Sequence, residues 1–226
     1  MTNFKGSLVA LITPFKNNKV DEKALYDMVK WHIKNGTDGI VPTGTTGESA
    51  TLTDDEQIEV IKIVCEAANG QVPIMAGCGS NNPYHAAELT NKAKEAGADA
   101  ALHVAGYYNR PNQEGLYQHF KFVHDNTDLP IFIYNIPGRA IVNVEDATLA
   151  KLSEMPRIVG IKDATGDLSR PWKERQLIKK DFTYLSGDDC TAVSYNAAGG
   201  VGCISVTANV APALVAECQK YTRENN

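Results

Sequence analysis

A lysine follows an apolar segment in the second half of the chain, and this position could give it unusual chemistry. Lys162 comes directly after residues 158–161, a run typical of a buried strand, and the chain breaks soon afterwards at Gly166. Burial among apolar side chains disfavours the ammonium form and lowers the pKa of a lysine. The neutral amine can then attack a carbonyl compound to form an imine. A lysine at a strand end more often extends into solvent, so the interpretation depends on its neighbours.

A tyrosine occupies the corresponding place in another apolar segment. Tyr134 ends the run 131–134 and would lie beside Lys162 if both segments belong to one sheet. Imine chemistry needs a group that moves protons to and from the carbinolamine, and a tyrosine hydrogen-bonded to a threonine and a second tyrosine could do this. A buried tyrosine can equally be a core residue with a satisfied hydroxyl.

Two turns could bind carboxylates. The turn at residues 44–48 (GTTGE) presents the adjacent backbone N–H groups of Thr45 and Thr46, an arrangement that suits a small carboxylate. Arg139 follows a second turn, and its guanidinium could hold another carboxylate through two hydrogen bonds. The alternatives are an ordinary glycine-stabilised turn for the first segment and a surface ion pair for the arginine.

Two adjacent carboxylates follow another apolar segment. Asp188 and Asp189 come directly after Gly187 and could act as a pair. Aspartate at this position more often caps the helix that follows, by accepting hydrogen bonds from its first N–H groups. We therefore predict a helix cap here rather than a catalytic dyad.

These candidates follow eight short apolar segments that alternate with helical patterns. Strands are predicted at residues 8–13, 39–43, 73–77, 98–105, 130–136, 158–163, 182–186 and 202–207. Such alternation predicts an α/β fold whose parallel sheet is covered by helices, and eight strands close it into a (β/α)8 TIM barrel. We expect one barrel domain over residues 1–226, with the candidates at the C-terminal strand ends, where such barrels carry their active sites. A doubly wound open sheet is the alternative.

The helical patterns predict which side chains face the barrel. Thr53 and Glu56 form a capping-box pattern at the start of the second helix. The last three helices are predicted at residues 172–178, 191–198 and 212–223. In the last of them, we expect Leu214, Cys218 and Tyr221 to point inward, because they recur at helical spacing.

The composition argues against several classes of partner. A net charge of −5 over 226 residues leaves no basic surface for nucleic acid or an anionic membrane. No apolar run reaches the ~18 residues that a membrane span needs. The five cysteines are scattered without CxxC spacing, which is typical of reduced thiols in a cytoplasmic protein, and we expect most of them to fill the core. The five histidines lack metal-ligand spacing, and no glycine-rich segment continues into a nucleotide motif, so we expect no metal and no nucleotide cofactor.

Six segments together resemble the dihydrodipicolinate synthase family, within the class I pyruvate-dependent aldolase and lyase superfamily. They are GTTGESATL (44–52), YYNRPNQEGLYQHF (107–120), YNIPGR (134–139), GIKDATG (160–166), LSGDD (185–189) and ISVTANV (204–210). The segments occur in the family's order and span most of the chain. The joint match is therefore far more specific than any one segment.

The resemblance implies roles for the residues that carry the chemistry. Lys162 would form a Schiff base with pyruvate, and Tyr134 would donate and accept protons. Thr45 and Tyr108 would complete the proton relay. Tyr108 would reach in from a neighbouring subunit, which implies a homo-oligomer, either a dimer or a dimer of dimers.

The resemblance also implies which groups bind the two substrates. Backbone groups at Thr45 and Thr46, the carbonyl of Ile204 and the turn at Gly187 would hold pyruvate. Arg139 would bind the carboxylate of the second substrate, L-aspartate 4-semialdehyde. The implied reaction is the condensation of these two compounds in the biosynthesis of lysine and diaminopimelate.

Two alternatives to this reaction stay open on the sequence. Sialic acid lyases and keto-deoxy-sugar aldolases share the lysine and tyrosine but resemble one another in lacking the arginine at position 139. A non-catalytic pyruvate-binding barrel is the second alternative. It is raised by the end of the chain, because family members continue into a C-terminal helical domain that we expect to be absent after the eighth helix.

Overall fold

Strands and helices alternate along the chain in the computed structural model, which describes residues 4–224. The strands are β1 (Gly6–Ala10), β2 (Phe15–Lys16), β3 (Lys19–Val20), β4 (Gly39–Val41), β5 (Met75–Gly77), β6 (Ala100–Val104), β7 (Ile131–Asn135), β8 (Ile158–Asp163), β9 (Thr183–Ser186) and β10 (Gly202–Ser205). The helices are α1 (Glu22–Lys34), α2 (Asp54–Ala68), α3 (Pro83–Glu95), α4 (Gln113–Asp125), α5 (Pro137–Ala140), α6 (Asp146–Ser153), α7 (Arg170–Leu177), α8 (Ala192–Ala197) and α9 (Pro212–Glu224). Short 3-10 turns occupy Ser49–Thr51 and Thr207–Asn209.

Eight of the strands form one parallel sheet. Their order is β4-β1-β10-β9-β8-β7-β6-β5, so neighbours in the sheet are mostly neighbours in the sequence. The two ends of this order meet at a parallel bridge between Ile40 and Ile74, and the N–H of Ile40 donates to the carbonyl of Pro73 at 3.0 Å. The predicted (β/α)8 barrel is confirmed. The short hairpin of β2 and β3 was not predicted, because strands of two residues are too short to show an apolar pattern.

The register of the central strands decides which side chains share the barrel interior. Tyr134 on β7 is paired with Lys162 on β8, and Lys162 is paired with Leu185 on β9. Paired residues in a parallel sheet point to the same face. Tyr134, Leu185 and Phe132 belong to one buried cluster inside the barrel, so Lys162 also faces inward, at the upper end of that cluster.

The start of α2 follows the local signal, but the last helix turns a different face to the barrel than predicted. The capping box of Thr53 and Glu56 is present at the start of α2. On α9, however, Leu214 is 68% exposed, Cys218 is exposed and Tyr221 is 46% exposed, so the prediction for all three was wrong.

A polar contact explains the orientation of α9. Gln219 is buried, and its Oε1 accepts a hydrogen bond from the side-chain amide of Asn196 on α8 at 2.8 Å. A buried amide is tolerated when it is hydrogen-bonded in this way. Val215, on the same side of the helix, packs against the apolar cluster around β1 and β4. Apolar spacing alone could not reveal this partner for Gln219.

A buried ionic cluster holds α6 and α7 against the end of β8, next to Lys162 but on the outer side of the strand. Arg170 lies 3.1 Å from the carboxylate of Asp163, 2.6 Å from that of Glu174 and 3.2 Å from that of Asp146. Burial raises the pKa of Glu174 to about 8, against the lowering effect of Arg170. Nothing in the spacing of these residues predicted the cluster, which depends on α7 folding back onto β8.

All five cysteines are free thiols. Cys65, Cys78 and Cys203 lie at least partly within the protein, whereas Cys190 and Cys218 are exposed, which agrees with the prediction that most of the thiols fill the core. Within residues 4–224, no helix has the length and apolar character required to span a bilayer.

Candidate active site

A cavity of about 180 Å³ opens at the C-terminal ends of the barrel strands. The side chains and turns that line it include six of the residues singled out from the sequence, namely Thr45, Thr46, Tyr134, Arg139, Lys162 and Gly187. A second cavity of about 430 Å³ adjoins it and shares Thr45 and Arg139 with it. Residues at or just after the ends of four strands, β4, β7, β8 and β9, converge on this cavity, which makes it the candidate active site.

Lys162 is nearly inaccessible to solvent, with only 7% of its surface exposed. Burial lowers the pKa of its ammonium group to about 8, although the Cys203 thiol and the Asp189 carboxylate act in the opposite direction and Arg139 lowers it further. No ion pair to Lys162 occurs in the part of the chain that the structure describes. A substantial fraction of this amine is therefore neutral near pH 8, as nucleophilic attack on a carbonyl requires.

Tyr134 lies directly beside this amine. The Nζ atom of Lys162 is 4.1 Å from the centroid of the Tyr134 ring. Burial raises the pKa of the Tyr134 hydroxyl to about 12, with Arg139 acting in the opposite direction. The phenol therefore keeps its proton at neutral pH and can donate it to an oxygen bound near Lys162.

The turn at residues 44–48 is held in a strained conformation beside the amine. Thr43 and Glu48 adopt left-handed backbone angles, with φ of 52° and 60°. Gly47 is required, because a Cβ there would lie 2.8 Å from the carbonyl oxygen of Leu11. Among residues 4–224, the N–H groups of Thr45 and Thr46 have no acceptor. Two free adjacent donors at the edge of the cavity match the predicted carboxylate nest.

Two other predicted site residues stand at the ends of β9 and β10. Gly187 lies against the stem of Lys162, since a Cβ there would be 3.1 Å from the lysine Cε and 2.9 Å from the Cβ of Ala164. The side chain of Ile204 is fully buried inside the barrel rather than in the cavity wall. The predicted role of Ile204 concerns its backbone carbonyl and stays a prediction. Val206, two residues further on, lines the cavity and was not predicted.

Tyr108 does not reach the cavity of its own chain. Its side chain is 89% exposed and its φ of 68° projects it from the loop between β6 and α4. Within residues 4–224, the Tyr134 hydroxyl makes no hydrogen bond to Thr45 or to Tyr108. The relay implied by the resemblance is therefore not assembled within one chain.

The pair Asp188 and Asp189 does not cap α8 as predicted. The helix begins at Ala192 without a side-chain cap. Asp188 accepts a hydrogen bond from the N–H of Cys190 at 3.0 Å, which closes a local turn. Asp189 instead accepts hydrogen bonds from backbone groups beyond β10. The prediction failed because these acceptors reach a segment that is adjacent only in the folded barrel.

The part of the chain that the structure describes offers no set of side chains that could ligate a metal ion. No three or more histidine, cysteine, aspartate or glutamate side chains between residues 4 and 224 are grouped so that they could hold a metal ion. The chemistry available in the cavity is that of an amine, a phenol, a guanidinium and backbone donors.

Comparisons with known proteins agree with this combination of groups. Residues 3–226 match the dihydrodipicolinate synthetase family. The 4-hydroxy-tetrahydrodipicolinate synthase of Rhodospirillum centenum is 58% identical over 216 residues, which are 96% of this chain and 74% of that protein. The enzyme of the same name from Parvibaculum lavamentivorans is 55% identical over 223 residues, covering 99% of this chain and 77% of that protein.

Solved structures show the same similarity in three dimensions. The crystal structure of dihydrodipicolinate synthase from Aquifex aeolicus has a TM-score of 0.96 and 45% identity, covering 98% of this chain and 76% of the other. The chloride-inhibited dihydrodipicolinate synthase from Acinetobacter baumannii, complexed with pyruvate, has a TM-score of 0.96 and 46% identity, covering 99% and 77%. The barrel, the motifs and the site residues thus agree with the overall match, and the chain belongs to the dihydrodipicolinate synthetase family.

Proposed function

We propose that this chain catalyses the 4-hydroxy-tetrahydrodipicolinate synthase reaction, the condensation of pyruvate with L-aspartate 4-semialdehyde in the biosynthesis of lysine and diaminopimelate. The observation that carries the proposal is the buried amine of Lys162, whose pKa is lowered to about 8 and whose Nζ lies 4.1 Å from the ring centroid of Tyr134. The relatives that are 58% and 55% identical bear this activity in their names.

The residues of the cavity account for each step. The neutral Lys162 amine attacks the keto carbon of pyruvate, and loss of water from the carbinolamine gives an iminium ion. Tyr134 donates a proton to the leaving oxygen. The N–H groups of Thr45 and Thr46 bind the pyruvate carboxylate. Tyr134, left as the phenolate, then takes a proton from the methyl group to give an enamine, whose carbon attacks the aldehyde of the second substrate. The amino group of that substrate then displaces Lys162 from the imine, which closes the ring and frees the lysine.

The guanidinium at the rim favours this reaction over the aldolase alternatives. Arg139 is exposed and lines both cavities, so it can meet a second carboxylate that arrives after pyruvate has bound. The sugar-acid aldolases resemble one another in lacking an arginine at this position. A non-catalytic barrel would form the imine but would not turn over.

A coupled assay with both substrates distinguishes the three possibilities. We expect consumption of L-aspartate 4-semialdehyde that depends on pyruvate, with no cleavage of sialic acid. Adduct formation with pyruvate but no turnover would support the non-catalytic barrel. Cleavage of sialic acid or of a keto-deoxy sugar acid, without condensation, would assign the aldolase activity instead.

Replacement of Arg139 should affect the binding of the two substrates differently. In Arg139→Leu we expect the half-saturation concentration for L-aspartate 4-semialdehyde to rise strongly and that for pyruvate to change little. The lost binding free energy would be that of a charge-assisted, two-point hydrogen bond, about 1.5–3 kcal/mol. Arg175→Leu is a matched control, because Arg175 is exposed on α7 and donates to the carbonyl of Gly199 outside the cavity. Equal losses for both substrates would mean that Arg139 acts structurally.

The exposed tyrosine supports a proposal about assembly. Tyr108 projects from a loop that Asn81 contacts on both sides of the tyrosine. The side-chain amide of Asn81 donates to the carbonyl of Tyr107 at 3.4 Å, and the backbone carbonyl of Asn81 accepts from the side-chain amide of Asn109 at 3.3 Å. A fixed loop with an exposed phenol is suited to insertion into another subunit. The chain would then work as a homo-oligomer, a dimer or a dimer of dimers, in which each Tyr108 completes the relay of a neighbour.

Complementation between two inactive variants tests this assembly. Tyr108→Phe and Lys162→Ala should each be nearly inactive as pure proteins. After the subunits are mixed and exchanged, mixed dimers would contain one complete site, so about a quarter of the wild-type activity should return. Sedimentation velocity would verify that mixed dimers form. Mixed dimers without recovered activity would show that Tyr108 does not act across the interface.

A further inference from the structure

Asp189 is a partly buried carboxylate that the proposed reaction does not use. It follows β9, and its Oδ2 accepts hydrogen bonds from the N–H groups of Val206 at 2.9 Å and Thr207 at 3.0 Å. These donors belong to the segment that follows β10, the next strand in the barrel. Within residues 4–224 the adjacent Asp188 makes no such link, and its Oδ1 accepts from the N–H of Cys190 in the same turn.

The segment that Asp189 holds forms part of the cavity wall. Val206 lines the cavity together with Lys162 and Gly187, yet its side chain is 52% exposed and has little packing of its own. The far end of the segment is tied to β1, because the amide of Asn209 donates to the carbonyl of Ala10 at 2.8 Å. Asp189 makes the corresponding hydrogen bonds from the side of β9, the strand that is paired with β8 at Lys162.

The carboxylate also contributes charge near the amine. Burial would raise the pKa of Asp189, but hydrogen bonds from Ser205, Thr207 and Val206 outweigh this and lower it, so the group is ionised at neutral pH. Its negative charge raises the pKa of Lys162 and so opposes the effect of burial.

Other titratable groups that face Lys162 come from three elements. Arg139 in α5 lowers the pKa of the lysine. Tyr134 on β7 and Cys203 on β10 both have pKa values of about 12 and are neutral. The Sγ atom of Cys203 lies 3.9 Å from the Oδ1 of Asp189. Among these neighbours, Asp189 is the ionised group that raises the pKa of Lys162.

We propose that Asp189 is a positioning residue for the imine chemistry: it holds the Val206 wall beside Lys162 through two backbone hydrogen bonds, and it places a fixed negative charge near the amine. It does not touch the substrate. The inference rests on the proposed function, because it assumes that Lys162 is the reactive amine.

The variant Asp189→Asn tests both the contact with the Val206 wall and the effect of the charge, and Asp188→Asn is the matched control. The readouts are the yield of the borohydride-trapped pyruvate adduct as a function of pH, and the half-saturation concentration for pyruvate. In Asp189→Asn we expect the pH midpoint to fall by roughly half a unit, because loss of the negative charge favours the neutral amine. The half-saturation concentration should rise about tenfold as the wall loosens. Asp188→Asn should leave both readouts at the wild-type value.

A second variant separates the position of the carboxylate from its charge and serves if Asp189→Asn does not fold. Asp189→Glu keeps the charge but displaces the oxygen atoms, so the pH midpoint should stay near the wild-type value while the half-saturation concentration for pyruvate rises. Wild-type values of both readouts in either folded variant would overturn the inference. An upward shift of the midpoint in Asp189→Asn would also overturn it. Such a shift would mean that water enters past the displaced wall, solvates the ammonium form and so raises the pKa of Lys162. Absence of an adduct in the wild-type protein would instead refute the proposed function.

Discussion

Incubation with pyruvate and borohydride should add one reduced pyruvate to the protein, at Lys162, and the adduct should be absent from Lys162→Ala. The reason is that a nucleophilic amine must be largely neutral, and burial lowers the pKa of Lys162 to about 8. Below that pH the ammonium form predominates, so the rate of trapping should rise with pH and level off above about 8. Peptide mapping after intact-mass analysis would identify the modified residue.

Lys180 provides a matched control for this experiment. Its pKa is also lowered by burial, but its Nζ donates to the carbonyls of Met155 and Ile158 near the opposite end of β8. We expect Lys180→Ala to form the adduct as the wild-type protein does. An adduct on Lys180, or on any lysine other than Lys162, would show that the cavity does not select the reactive amine.

Replacing Tyr134 with phenylalanine should slow turnover by ~10²–10⁴-fold, the usual range for loss of a proton-transfer group. The ring that packs beside Lys162 is retained, so the fold and the binding of pyruvate should change little. The pKa of about 12 keeps the hydroxyl protonated, and the loss should therefore be similar across the neutral pH range. Steady-state kinetics with both substrates, together with thermal unfolding, would measure this.

Tyr184→Phe is a control for loss of a buried hydroxyl. Tyr184 lies on β9, and within residues 4–224 its hydroxyl has no hydrogen-bond partner. Burial raises its pKa as it does for Tyr134. We expect its removal to leave turnover near the wild-type rate. A loss in Tyr134→Phe no larger than that in Tyr184→Phe would mean that the Tyr134 hydroxyl does not transfer protons in the slow steps.

The amino-acid sequence by itself determined the architecture and the main polar groups of the cavity. Apolar runs separated by helical patterns predicted the eight parallel strands, because buried parallel strands cannot have a polar face. The ends of those strands predicted that Tyr134 and Lys162 would meet, and the two are paired in register between β7 and β8. Strand position is encoded locally, so these residues could be found without knowledge of the folded chain.

Only the tertiary structure decided the features that depend on contacts between distant segments. Burial sets the pKa of Lys162, and the surrounding strands produce that burial. Gln219 faces inward on α9 because Asn196 on a different helix bonds to it. Asp189 reaches the N–H groups beyond β10, and its apparent role as a helix cap disappears. Tyr108 points away from its own cavity. The burial of Lys162 and the contacts of Gln219 and Asp189 depend on partners remote in sequence, and local spacing carries no information about such partners.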